Sequence, residues 1–381
     1  MAEIPVDEKA QADLAARQGD ENAVAAFLDK YAGHPHFGAP WYAEAGCDWS
    51  KDMVFNARQL IKHKHWFRTW ADYTSFQERL RTDTRLHQFE QAADAISSGD
   101  IALLKTLLAL EPNLVHLRSL RWHQSTLLIY TGANGVEEWR QRTPKNIVES
   151  VQVLLDAGAD VNARGGMYRG TTTLGLAATS VHPVITGVQE ALMDVLIRAG
   201  ADPNKAVAPD YTEGLLILAC IHNGRYEPIH YLARHGAQVD LEAAGALGDL
   251  EKVKALFSEA STDKRALSLC WACQYGHTAV IDFLLEQGLP VNTAVNGTTP
   301  LLSAAFEGQR DLVVRLLELG ADMEVRNDYG GTALSQTLWC LYHHRKLQHL
   351  EIMELLIARG AKIEADWLPY IEEQRNHDQA I

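Results

Sequence analysis

The residues best placed to do chemistry in this chain are a Cys-x-x-Cys pair and three small groups of histidines. Cys270-Trp271-Ala272-Cys273 has the spacing of a redox or metal pair. A single pair with no second pair or histidine at ligand spacing is a weak zinc signal. The histidines fall at His34 and His36, His63 and His65, and His343, His344 and His349. A metal needs three or four ligands converging on one point. His63 and His65 are two apart on an expected helix and face different sides. No two of the last three are three or four apart. The chain has no Gly-x-Ser-x-Gly, Walker loop, His-Glu-x-x-His or dinucleotide fingerprint. Gly330-Gly331-Thr332 reads as a turn entering a helix. The expectation is no catalytic motif, no metal and no cofactor.

The elements that must position any site come from an internal repeat. Leu-Leu-x-x-Gly-Ala-Asp runs from Leu154 to Asp160 and from Leu316 to Asp322, and a Leu-Ile copy runs from Leu196 to Asp202. Degenerate copies span Leu232 to Gln238, Leu284 to Pro290 and Leu355 to Lys362. Each closes an apolar run of helical period, and its glycine suits a left-handed helix stop. Upstream lies a second signature, clearest as Thr299-Pro300-Leu301-Leu302-Ser303-Ala304-Ala305-Phe306-Glu307-Gly308. The glycine pairs 308 and 320, 224 and 236, and 276 and 288 share one spacing, twelve residues.

These motifs resemble the ankyrin repeat, with its Thr-Pro-Leu-His, Ala-Ala-x-x-Gly-His and Gly-Ala-Asp-x-Asn elements, over about residues 86 to 364. The resemblance implies an all-α, ankyrin-repeat solenoid of helix-turn-helix units. Eight units centre on the glycines at 99, 135, 187, 224, 248, 276 and 308 and on Leu341. The unit at 248, Ala243 to Phe257, follows its predecessor too closely for a normal hairpin finger. Insertions between paired helices are expected near 136–145, 181–186 and 342–348. Only Pro300 keeps the Thr-Pro pair, and the histidine of Thr-Pro-Leu-His is absent throughout. The usual histidine hydrogen bonds between neighbouring repeats are therefore not expected, and stability should lean more on apolar stacking. In this register Cys270 takes the histidine position and Cys273 the second alanine, both packing positions.

Residues 1–85 read as an N-terminal helical capping region with a degenerate first unit at 10–28, a loop at 33–49 and helices at Lys51–His65 and Trp70–Leu80. Phe67-Arg68-Thr69-Trp70 resembles a helix start seen ahead of ankyrin arrays in bacterial proteins. Residues 365–381 read as a C-terminal capping tail.

The residues the repeat leaves unused point to binding. In ankyrin folds the fingers and the ends of the inner helices line a concave groove. The variable positions there include Ala133 and Asn134, Thr179 and Ser180, His222 and Asn223, Gln274 and Tyr275, then Phe306 and Trp339. Fingers add Arg121, Trp122 and His123, then Tyr168, Arg169, Tyr211 and Tyr329. Trp, Tyr and Arg most often carry binding energy. The expected function is a scaffold holding a protein or peptide in an aromatic-rich groove. The alternative is a small-molecule binder or unconventional enzyme whose pocket is roofed by the insertions beside His222, Gln274 and Tyr275.

Bulk properties narrow the setting. The 381 residues carry a net charge of -14, which disfavours nucleic acid and anionic membranes and favours a basic or neutral partner. The apolar fraction is 47%, ample for a folded core. Five scattered cysteines argue against a disulfide framework. With no signal peptide and no long apolar run, a monomer in the cytoplasm is expected.

Overall fold

Helix punctuation sets the elements. Three Gly-Asp dipeptides each join two helices: Val6–Gln18 to Glu21–Lys30, Thr84–Ser98 to Ile101–Leu110, and Leu241–Leu247 to Leu250–Leu256. The glycine ends one helix with φ between 70° and 77° at Gly19, Gly99 and Gly248, where a side chain would be strained. The aspartate starts the next: the N–H groups of Ala23, Leu103 and Lys252 donate to Asp20, Asp100 and Asp249 at 2.9–3.0 Å. Two residues thus reverse the chain and satisfy both helix ends.

The structure is a computed structural model describing residues 4–32, 34, 40–210, 212–344 and 346–363. The described residues form helices and no extended strands; two isolated bridges, Arg164 to Thr172 and Val295 to Thr298, close finger tips. The chain divides into two compact units, Met1–Gln238 and Val239–Ile381. The division falls where the sequence leaves no room for a finger.

In the first unit the N-terminal helices build their own core from Ala16, Val24, Leu28, Ala57, Ile61 and Phe76. Thr69 caps helix Trp70–Thr82 by accepting from Asp72 N–H, as its position suggests. The stretch read as a loop contains a short helix, Pro40–Ala45; 33 and 35–39 lie outside the described residues. Helix pairs follow as Thr84–Ser98 with Ile101–Leu110, Leu127–Tyr130 with Ile147–Asp156, Thr173–Thr179 with Gln189–Arg198, and Leu216–His222 with Glu227–Arg234. The extra residues before Ile147 carry a 3-10 turn at Glu138–Arg140, and those before Gln189 form a short helix, His182–Ile185.

In the second unit the pairs are Leu241–Leu247 with Leu250–Leu256, Thr262–Tyr275 with Thr278–Glu286, Pro300–Glu307 with Arg310–Glu318, and Ala333–His344 with Leu347–Ala358. Of residues 342–348, expected to form a third insertion, 342–344 end helix Ala333–His344 and 347–348 begin helix Leu347–Ala358, while 345 lies outside the described residues. The expected C-terminal cap, 365–381, lies outside the described residues. Cys270 and Cys273 are buried in the packing positions, and burial pushes Cys270 up to about 12 and Cys273 well above its usual value. Thiols held protonated in this way are poor nucleophiles.

Inter-repeat hydrogen bonds persist without the missing histidines. In the first unit Asn162 Nδ2 donates to the Gly200 carbonyl (2.9 Å), and Asp202 N–H donates back to Asn162 Oδ1 (3.0 Å). Asn204 makes the same pair of bonds with Gly236 and Gln238, and Asn292 does so in the second unit with Gly320 and Asp322. The second unit adds side-chain bonds from His277 to the Ala246 carbonyl, Gln309 to Gln274, Gln336 to Leu302 and His349 to Phe306. A different set of polar side chains bridges the repeats in place of those histidines.

Removing one such amide loses two hydrogen bonds at a partly solvated site. Asn292→Ala should lower the stability of the second unit by about 1–2 kcal/mol in urea titration, and Asn292→Asp, which keeps only the acceptor, by less. A change too small to resolve for Asn292→Ala would show that the amide does not clamp the fingers.

Candidate binding site

The finger Met167–Arg169 is built around a close approach. A side chain on Gly166 would sit 2.7 Å from the Trp122 carbonyl oxygen, so only glycine lets the two fingers pack backbone to backbone. Gly166 N–H donates to the His123 carbonyl, and Met167 is buried as the finger's anchor. The chain must then turn within two residues, which leaves Tyr168 and Arg169 at φ 45° and 59°. Positive φ is costly for bulky residues and persists only where the surroundings enforce it.

That turn presents Tyr168 and Arg169 outward, both more than half exposed. The Tyr168 hydroxyl donates to Asn134 Oδ1 at 3.0 Å, and Arg169 pairs with Asp210 at 2.9 Å. They border a cavity of about 500 Å³ with Asn134, Thr179 and Asn223, which come from three successive inner-helix ends. Asn134 is aimed by Ala133, itself buried at φ 48°. Thr179 bonds back to Gly175 O, and Asn223 to Ala219 O. The structure therefore brings five of the sequence-selected positions to one place. His222 is exposed but does not line this cavity, and Tyr211 lies outside the described residues.

The other selected residues have different surroundings. In the second unit Tyr275 stacks on Trp271, whose Nε1 donates to Glu242 at 2.8 Å. Trp339 is largely exposed with its ring 4.2 Å from His343, Phe306 is half-buried, and Gln274 is buried and turned from solvent. In the first unit Trp122 is exposed on one side and lies 4.6 Å from Trp66. His123 is fully buried, so it supports the finger and offers no surface to a partner.

The residues around His123 form a buried charge cluster that sequence reasoning did not assemble. Arg121 contacts Glu90 Oε1 and Glu137 Oε1, each at 2.6 Å. Arg140 contacts Glu90 Oε2 at 2.7 Å, Glu137 Oε1 at 3.0 Å and the half-exposed Asp94 at 2.8 Å. The Arg121 guanidinium also lies 4.6 Å over the Phe76 ring, and the Tyr130 hydroxyl donates to Glu137 at 3.4 Å. Burial alone would raise the Glu90 and Glu137 carboxyls. The two guanidiniums outweigh it, lowering Glu90 and holding Glu137 well below the usual range. The sequence signal was Glu90 itself. It sits among Phe89, Ala92, Ala93 and Ile96, buried residues of one helix, and a carboxylate there needs a charged partner.

His65 lies beside this cluster, its Nε2 donating to the Ala16 carbonyl at 3.3 Å. Burial, reinforced by Arg121, pushes its imidazole down to about 4.

A family model described as ankyrin repeats (three copies) matches residues 241–327. Among curated proteins, the ankyrin repeat domain-containing protein SAT10 of Stachybotrys chartarum is 25% identical over 226 residues. That match covers 58% of this chain and 10% of the relative, so the chain spans about a tenth of that protein. Among solved structures, the human ASB11 ankyrin repeat domain is 20% identical, with 72% of this chain and 99% of that chain covered and a TM-score of 0.33.

Two outcomes follow from the cluster. Arg140→Met leaves two buried carboxylates short of a partner and should cost about 3–5 kcal/mol; a loss under 1 kcal/mol by denaturant titration would show that the cluster does not hold the first unit. For His65, the folded value lies below the unfolded one, so its contribution is complete above pH 6.5 and shrinks as pH falls toward 4. That amounts to a loss on the order of 3 kcal/mol across the window. His65→Gln should flatten the stability profile between pH 6.5 and 5, and an unchanged slope would remove His65 as its source.

Proposed function

We propose that this chain, an ankyrin-repeat protein by residues 241–327, is a binding scaffold that holds a protein segment against the fingers and inner-helix ends of its first unit. Ankyrin repeats generally mediate protein–protein interaction. The observation that carries the reading here is the pair Tyr168 and Arg169, held outward on a strained backbone over a cavity lined by Asn134, Thr179 and Asn223. Strain of this kind is retained where the presented side chains are used. The Arg169–Asp210 pair is exposed and worth at most about 1 kcal/mol, so a partner can exchange it for its own contacts at little cost. The same exposure favours an extended segment over a small molecule, which needs most of its surface buried. None of residues 181–186 lines this cavity, so the insertion roof imagined for a small ligand is not what forms it.

Photo-crosslinking tests the reading. A benzophenone amino acid at position 168 should capture a protein partner, and one at the exposed position 198 should not. With the captured partner purified, Tyr168→Ala combined with Arg169→Ala should weaken binding at least tenfold. Equal capture from both positions, or unchanged affinity of the double variant, would refute it.

A further inference from the structure

A second cavity in the first unit has a character unlike the groove. It measures about 510 Å³ and lies among the N-terminal helices, closed on one side by the finger bearing Trp122 and by the insertion residues Glu138 and Gln141. Its floor is apolar, formed by Ala16, Val24, Leu28 and Leu60, all buried. Its walls are aromatic: Phe27, Tyr42, Trp66 and Trp122. Trp66 stands at φ 60°, an unusual conformation for so large a residue. It is held there because Trp122 N–H donates to the Trp66 carbonyl (3.1 Å) and the Trp66 ring packs edge-on against buried His123, 5.3 Å away. The two indoles pack on each other, 4.6 Å between ring centres and 33° between planes, and Trp122 stays 40% exposed, so the pair forms one aromatic wall at the edge of the opening.

The charged groups at the rim neutralise one another. Lys64 lies 2.9 Å from Asp13 and 3.1 Å from Glu138, and Lys9 is exposed. Lys64 is thus already paired and Lys9 is solvated, so the apolar interior of the cavity offers an ionic ligand no desolvated counter-charge. His63 lines the cavity as well, and Gln141 is oriented by its bond to the Val136 carbonyl at 2.7 Å. These two amphoteric groups suit one hydroxyl or carbonyl. Burial lowers the His63 pKa, which keeps its ring neutral near pH 7.

We propose that this cavity is a binding site for an uncharged, largely apolar ring compound with a single polar substituent, seated against the packed pair Trp66 and Trp122. The volume is in the range of small-molecule sites and the aromatic walls suit flat ring systems. The site shares no residue with the groove around Tyr168 and does not depend on the reading given to that groove.

The full chain is titrated with N-phenyl-1-naphthylamine, a neutral fluorescent ring compound. Saturable one-to-one binding is expected, with energy transfer from tryptophan to the probe. The anionic anilinonaphthalene sulfonate should bind at least tenfold more weakly. Ala12→Phe, which fills the cavity from its wall, should weaken the neutral probe at least tenfold; should that variant unfold, Trp122→Ala in the exposed aromatic wall should weaken it at least fivefold. Tyr168→Ala should leave probe binding unchanged. Non-saturable binding, equal affinity for the anionic probe, or full affinity in the folded cavity variants would overturn the proposal.

Discussion

Two arginines and two glutamates, buried together with no excess charge, hold the first unit in the arrangement its surfaces require. Glu90 comes from a repeat helix, Arg121 from a finger, and Glu137 and Arg140 from the stretch inserted before Ile147. Any one of these ions alone in an apolar interior would be prohibitive. Each segment can therefore pack only when the others do. The aromatic rings of the N-terminal helices complete the enclosure, with Arg121 resting on Phe76. Apolar stacking supplies most of the energy in such a fold, but it does not choose among ways of docking a long finger. Charges that must meet do.

The same logic, in weaker form, governs the repeat lattice. Outward helix ends leave carbonyls unsatisfied, and an amide one repeat away can both donate to one and accept from the next N–H. Asn162, Asn204 and Asn292 do this in three fingers. The bonds are exposed and individually modest, but they recur in phase with the repeat, so they fix register where apolar contacts alone would tolerate sliding.

The repeat was legible from sequence because its signals are local: a glycine that must turn left-handed, a threonine that caps, an alanine pair that packs. The positions lining the groove followed from register, and Asn134, Tyr168, Arg169, Thr179 and Asn223 do meet. What escaped was whatever depended on distant segments meeting. His123 and Arg121 look like finger-tip binding residues until Glu90 and Glu137 are brought to them. Likewise residues 342–348 look like an insertion, although 342–344 continue the helix before them and 347–348 begin the next. The Trp66–Trp122 pair was unreadable for the same reason: it joins a helix end to a finger over fifty residues on.

The placement of the cysteines makes the molecule a recorder of its own breathing. Cys220 is sealed in the first unit, and Cys270, Cys273 and Cys340 are sealed in the second, all with thiols that burial keeps protonated. A thiol in that condition is silent toward alkylating reagents until its helix pair opens. Modification at 220 and at the later three positions would then accrue at separate rates, one for each unit, and read out from a single sample which of the two opens first.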